Sequence, residues 1–260
     1  MKLRARANAC DLSPVQFRHK IKKLLNGQGL ASASRHLRRF FHPARFPLTT
    51  ERVIQTIDRA PFEAIHRRYA VEHPGEDWPK YLDLNRWIDI NIRRVREIEL
   101  DLSRAKRILD LGCGAGYFAY IARLLGHDVV GLDIDDVPMF AEITRLLGVP
   151  RVIWRIHPFV PLPDLGKKFD LITAFMICFN NHKQADLWGA PEWEFFLNDL
   201  ARRLTRRGCV WLELNREYDG TCYTPELHEF FESRGATVDQ HRVTFNSDLL
   251  ALSSASPVAR

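Results

Sequence analysis

Residues Arg107–Asp133 read RILDLGCGAGYFAYIARLLGHDVVGLD, and this stretch decides the fold. Ile108, Leu109 and Leu111 form a short apolar run, followed by glycines at every second position: Gly112, Gly114 and Gly116. A helix-period segment follows (Phe118, Ile121, Leu124, Leu125) and closes at Gly126. A second apolar run ends on the carboxylate Asp133. The order strand, glycine loop, helix, strand, with an acid at the tip of the second strand, builds a nucleoside site. The loop lets a ligand approach the backbone, and the acid accepts hydrogen bonds from ribose hydroxyls.

The glycine spacing selects among nucleosides. A dinucleotide loop needs G-x-G-x-x-G, so that its third glycine brings the helix close while pyrophosphate sits on the helix N-terminus. Here the pattern is Gly112-x-Gly114-x-Gly116, and the bulky Tyr117 occupies the position of that third glycine. Asp110 also ends the first strand, where it would repel a pyrophosphate but welcome an ammonium group. A ligand with an amino-acid end and an adenosine end satisfies both carboxylates, and S-adenosylmethionine has that form.

Outward from this stretch the alternation of a doubly wound sheet continues. Pro138 opens a helix after Asp135 and Asp136, which reads as a helix start rather than a metal pair, and Gly148 stops it. Strands are expected at Arg151–His157, Phe169–Met176 and Cys209–Leu214. Between the last two, a helix starts at Pro191 and ends at Gly208. A helix over Pro225–Arg234 and the alternating run Ala236–Phe245 complete the edge. The fold class is therefore α/β, a doubly wound, mostly parallel sheet with an N-terminal helical extension and ligand at the carboxyl ends of the strands. The expected organisation is a basic arm (1–48), a helical cap segment (49–104), the nucleoside-binding domain (105–250) and a small-residue tail (251–260).

The segment Leu109–Gly116, LDLGCGAG, resembles the first motif of the class I S-adenosylmethionine-dependent methyltransferases. The resemblance runs from about Arg107 to Asn215. It implies a Rossmann-like methyltransferase fold in which Asp110, Gly112, Gly114 and Gly116 surround the methionine part and Asp133 holds the ribose. The run FDLITAFMICFNNH with WGAPEWEFFLNDLARRL resembles bacterial members of the family and carries no particular acceptor over. Two places depart from the family's pattern. After the third strand, His157-Pro158-Phe159 replaces the usual acidic or amide residue, which leaves adenine to backbone and the Phe159 ring. After the fourth strand, Met176–His182 lacks the Asn/Asp-Pro-Pro-aromatic run of enzymes that methylate base amines.

Acceptor residues are sought where cofactor and substrate should meet. Asn180-Asn181-His182 follows the fourth strand at its carboxyl edge, so Asn180 is a candidate substrate ligand and Asn181 and His182 are candidate catalytic residues. A neutral imidazole could take a proton from a hydroxyl acceptor. The amphipathic segment Lys80–Val95 places Leu84, Trp87, Ile88, Asn91 and Val95 on one face. In the family, helices before the first motif cover the cleft, which makes Tyr81 a candidate acceptor contact. The expected reaction is methyl transfer to oxygen or nitrogen of a small-molecule or glycan/lipid-precursor acceptor. A nucleotide-dependent dehydrogenase with a variant loop, and a nucleoside-binding protein without chemistry, are the alternatives.

Composition fits this reading. Apolar residues at 46% and charged residues at 27% match a soluble domain with a sizeable core, and no apolar run reaches the ~20 residues of a membrane span. Five scattered cysteines without C-x-x-C pairs read as reduced thiols of a cytoplasmic protein, with no metal site. Charge is uneven: of the net +6, residues 1–48 hold +10, from eleven Lys or Arg against Asp11, and the remainder −4. Three readings fit that arm: a solvated extension, a surface for anionic lipid or nucleic acid, and a targeting peptide. Without an RNA-binding signature, an anionic membrane surface is the partner expected ahead of nucleic acid.

Overall fold

The computed structural model describes residues 46–72, 78–179, 186–217 and 219–246. Asn180, Asn181 and His182, the tail 251–260 and all of the basic arm except residues 46–48 lie outside the described residues.

Two helices, α1 (Thr50–Gln55) and α2 (Arg59–Glu72), come first. A 3-10 turn, Trp78–Leu82, leads to α3 (Leu84–Glu97), which Asp83 caps by accepting from the Arg86 amide. A single-turn 3-10 helix, Leu100–Leu102, precedes the sheet. Then follow β1 (Arg107–Leu111), α4 (Tyr117–Leu124), β2 (Asp128–Asp133), α5 (Pro138–Leu146) and β3 (Arg151–Ile153). β4 (Phe169–Ile177), α6 (Ala190–Arg203), β5 (Leu204–Leu214), α7 (Pro225–Ser233), β6 (Thr237–Asp239) and β7 (Arg242–Asn246) complete the described residues.

The seven strands lie in the order β3-β2-β1-β4-β5-β7-β6. The first five are parallel, and β7 pairs antiparallel with both of its neighbours, β5 and β6. The order reverses between β1 and β4, so their carboxyl ends open a crevice where ligands bind in such sheets. β1 is buried on both faces apart from Arg107, as a central parallel strand must be. The expected doubly wound sheet is present.

Several boundaries differ from expectation for identifiable reasons. β3 stops at Ile153, because its only partner, β2, ends at Asp133 and offers no further ladder. The Trp154 amide still bonds the Asp133 carbonyl at 2.9 Å, and the chain then leaves the sheet. Gly208 does not end a helix. α6 ends at Arg203, and Gly208 lies within β5 at an irregular pairing, where a Cβ would meet Leu204 and the Phe169 carbonyl at 2.9–3.0 Å. The edge is a hairpin of two strands rather than one run, turning through Gln240 at φ 56°. Asp135 and Asp136 do not start α5, whose N-cap is Val137; they pair with Arg151 and Arg155.

On one side of the sheet, an aromatic core joins β4 and β5 to α6 and α7 through Phe179, Trp188, Trp193, Phe196 and Phe231. Each such side chain contributes about 1.5–3 kcal/mol by leaving water. On the other side, α4 is buried from Tyr117 to Ala122 and α3 packs over it. α3 buries Leu84, Ile88, Asn91, Ile92 and Val95; Ile92 takes the place expected for Trp87, which is half-buried at the rim. Residues 46–106 and the sheet belong to one compact unit. Among the described residues no helix is long and apolar enough to cross a membrane.

Candidate active site

A cleft of about 830 Å³ opens at the carboxyl ends of β1, β2 and β4, within the ~300–1,000 Å³ typical of ligand sites. Its floor is the loop after β1. Gly112 and Gly116 both have positive φ, 64° and 77°, which side chains rarely adopt. A Cβ would meet the Ile177 side chain at 2.9 Å from Gly112 and the Thr144 methyl at 2.9 Å from Gly116. The loop is closed by Gly112 N–H donating to the Leu132 carbonyl (2.7 Å) and Gly116 N–H to the Cys113 carbonyl (2.8 Å). Gly114 also has positive φ, 53°, but a Cβ there would meet only the Phe140 ring at 3.8 Å, and its amide donates to the Asp133 carboxylate.

The two acids flank this loop from neighbouring strands. Asp110 is buried and accepts from the Thr173 hydroxyl at 2.7 Å. Burial pushes its carboxyl up to about 7; the nearby Asp133 adds to the rise, while the Thr173 hydrogen bond and the Arg94 charge oppose it. A carboxyl so poised has much to gain from an ammonium group. Asp133 is held by the amides of Gly114 and Ile134, the latter at 2.8 Å, and burial raises its pKa also. Two carboxylate oxygens offer about four acceptor positions, so two stay free for vicinal hydroxyls.

An aromatic wall closes the side formed by the helical segment. Tyr81 stacks on Trp87 at 4.5 Å and meets Phe140 edge-on at 5.1 Å. The Tyr117 hydroxyl donates to the Tyr81 carbonyl (2.9 Å) and the Trp87 indole N–H to the Lys80 carbonyl (2.8 Å), which locks the wall to α4 and to its own turn. Tyr81 thus lies where an acceptor contact was expected.

Asp110, Gly112, Gly114, Gly116, Asp133 and Tyr81 all line the one cleft. Phe159 does not. It sits on the loop after β3 at φ 59°, 53% exposed, with its ring 5.9 Å from Phe195. Trp154, Arg155 and Ile156 line that end of the cleft instead, because β3 ends four residues sooner than its sequence pattern implied.

Arg94 and Met176 are among the lining residues that escaped sequence reasoning. Arg94 projects from α3 into the cleft, stacks on Phe175 at 4.6 Å and pairs with the buried Glu213 at 3.3 Å. Its spacing of seven from Trp87 and three from Asn91 puts it near the inner face of α3. Met176 bulges β4 at φ 59° and stays 44% exposed at the cleft, so that Phe175, Met176 and Ile177 all line it where strict alternation would aim only part of them there. Among the described residues no group of three His, Cys, Asp or Glu could hold a metal ion.

The fold and the cleft define a class, and comparison with known proteins agrees. Residues 108–208 match the family described as methyltransferase domain. Over that span the chain is similar to the class I S-adenosylmethionine-dependent methyltransferases. It is similar to the ubiquinone biosynthesis O-methyltransferase of Pseudomonas putida strain W619, 31% identical over 118 residues, 44% of this chain and 47% of that one. It is also similar to the tRNA U34 carboxymethyltransferase of Pseudomonas fluorescens, 36% identical over 80 residues, 29% of this chain and 24% of that one. The chain spans about half the length of the ubiquinone-pathway relatives. A solved amino pentose methyltransferase from Micromonospora echinaspora with S-adenosylmethionine bound aligns at 25% identity over 58% of this chain and 55% of that one, with a TM-score of 0.34.

Proposed function

We propose that the protein transfers a methyl group from S-adenosylmethionine to oxygen or nitrogen of a small-molecule or glycan/lipid-precursor acceptor. The observation that carries this reading is the pair Asp110 and Asp133, set on adjacent strands at either side of the glycine loop. When bound, S-adenosylmethionine supplies a methyl group on an already activated sulfonium. Asp110 holds the ammonium end, Asp133 accepts from the ribose hydroxyls, and Arg94 offers its cation to the carboxylate of the amino-acid end. Tyr81, Trp87 and Phe140 give the acceptor a flat apolar wall. The work left to the chain is alignment, which can lower a barrier by ~7–11 kcal/mol in favourable cases.

A base for a hydroxyl acceptor comes from the segment that follows β4. Ile177 and Cys178 line the cleft, and Asn180, Asn181 and His182 continue from there in sequence. In this reading His182 takes the acceptor proton, and Asn180 and Asn181 orient the acceptor. The O-methyltransferase name of the relatives favours oxygen over nitrogen.

Calorimetry with S-adenosylhomocysteine, followed by a screen of phenols, amines and sugar derivatives with isotopically labelled methyl donor, tests the proposal. Asp133→Ala should weaken S-adenosylhomocysteine by one to two decades, since charge-assisted hydrogen bonds are worth ~1.5–3 kcal/mol. Tight binding of a nicotinamide dinucleotide without binding of S-adenosylhomocysteine would replace this reading with a dehydrogenase. Binding of S-adenosylhomocysteine without any transfer would leave a nucleoside-binding protein.

A further inference from the structure

The cleft holds a buried acid, Asp110, 2% exposed, and a partly buried guanidinium, that of Arg94, whose side chain is 15% exposed, with no ion pair between them among the described residues. In so dry a place opposite charges attract strongly, and a direct Asp110–Arg94 pair would neutralise the two groups that a zwitterionic ligand end needs. The structure shows what holds them apart. Arg94 Nε faces Glu213 Oε2 at 3.3 Å, its Nη1 donates to Asn91 Oδ1 at 3.2 Å, and its guanidinium plane lies on Phe175. Glu213 is itself buried, 6% exposed, at the penultimate position of β5. Behind it stands Arg242 of β7, 3.8 Å from Glu213 Oε1, stacked on Trp211 at 4.6 Å. Arg242 in turn pairs at 2.6 Å with Glu97, one helical turn beyond Arg94 on α3. Charge therefore alternates along Arg94, Glu213, Arg242 and Glu97, and the line begins and ends on the same helix.

We propose that Glu213 is a positioning residue for cofactor binding: backed by Arg242 and Glu97, it draws the Arg94 guanidinium away from Asp110 and so keeps open a slot for the ammonium and carboxylate of the cofactor's amino-acid end. The inference rests on the S-adenosylmethionine reading of the cleft and adds to it a residue outside the cleft lining. Burial alone would not select a glutamate here, because a buried charge pair is seldom more stable than apolar residues of the same volume. The raised carboxyl of Asp110 agrees with a slot left unpaired. Glu213→Gln keeps the shape and loses the charge, which frees Arg94 to swing onto Asp110.

Two probes separate positioning from general damage. S-adenosylhomocysteine has the zwitterionic end, and 5′-methylthioadenosine has the same adenosine and thioether without it. With the full chain, Glu213→Gln should weaken S-adenosylhomocysteine at least tenfold and 5′-methylthioadenosine by less than twofold. Arg242→Gln, which leaves Glu213 in place, should weaken S-adenosylhomocysteine about threefold, again sparing the shorter ligand, and keeps the test alive if Glu213→Gln does not fold. Glu213→Asp should recover part of the loss. Equal weakening of both ligands, or no weakening of either in both variants, overturns the proposal. Failure of the wild-type protein to bind S-adenosylhomocysteine overturns the cofactor reading itself, a different result.

Discussion

At the scale of single residues, Asp110 sets a conflict between stability and binding. Its carboxyl titrates near 7 in the folded chain because it is buried, against about 3.9 in an unfolded one. The stabilisation from protonation is complete below the unfolded value and is lost as pH rises through about 7. Asp110→Asn should therefore raise the thermal midpoint at pH 8 by several degrees, with the gain vanishing near pH 4, while abolishing S-adenosylhomocysteine binding. Under the proposed function, wild-type affinity should move the opposite way, because the cofactor's ammonium needs the carboxylate. It should fall about tenfold for each pH unit below 7, read by calorimetry across pH 5.5 to 8. His182 belongs to the same scale: as a general base, its replacement by Ala should lower turnover by roughly 10²–10⁴ and leave cofactor affinity unchanged. A variant as fast as wild type across pH 5 to 9 would assign the rate to alignment alone.

At the scale of elements, the junction between the helical segment and the sheet is pinned by one imidazole. His127, between α4 and β2, accepts from the Lys106 amide through Nδ1 at 3.1 Å, so its Nε2 carries the proton offered to the Leu100 carbonyl, also at 3.1 Å. Burial lowers its pKa below the usual 6.5. Its contribution is present above 6.5 and is lost as pH falls through the lower folded value. The unfolding free energy should decline on acidification below pH 6.5, by at most about 1.4 kcal/mol per pH unit for one proton, and His127→Asn should flatten that slope in denaturant titrations. The elements also show what sequence can disclose. Asp110, the three glycines and Asp133 were legible because one contiguous βαβ unit sets their geometry locally. Arg94 was not: Arg93, Arg94 and Arg96 lie close together on α3, and the strand residues that hold Arg94 at the cleft, Phe175 and Glu213, come from far along the chain. Phe159 was placed in the site by extending β3, whose length is set by where β2 stops. Gly208 read as a helix stop because glycine serves both for ending a helix and for admitting Leu204 and the Phe169 carbonyl at close range.

At the scale of the molecule, charge divides the chain. Residues 1–48 hold +10 and the rest −4, and polybasic attraction to anionic lipid is worth ~1 kcal/mol per residue close to the surface. Removing residues 1–45 should leave S-adenosylhomocysteine affinity intact and abolish sedimentation with anionic vesicles at low salt. A full-length protein that ignores such vesicles would make the arm a solvated extension. Over the remaining chain, α3 has a consequence for how such an enzyme could diversify. Trp87, on the aromatic wall, and Arg94, beside the amino-acid end of the cleft, stand two turns apart on this one helix, roughly 10 Å along its axis. A mutation that tilts or slides the helix to admit a bulkier acceptor also drags the guanidinium from its place. Under the proposed function, new acceptors are therefore reached most cheaply through Tyr81, Met176 and other positions off the helix, whereas change within α3 must be matched on β5 and β7 before the donor is held again.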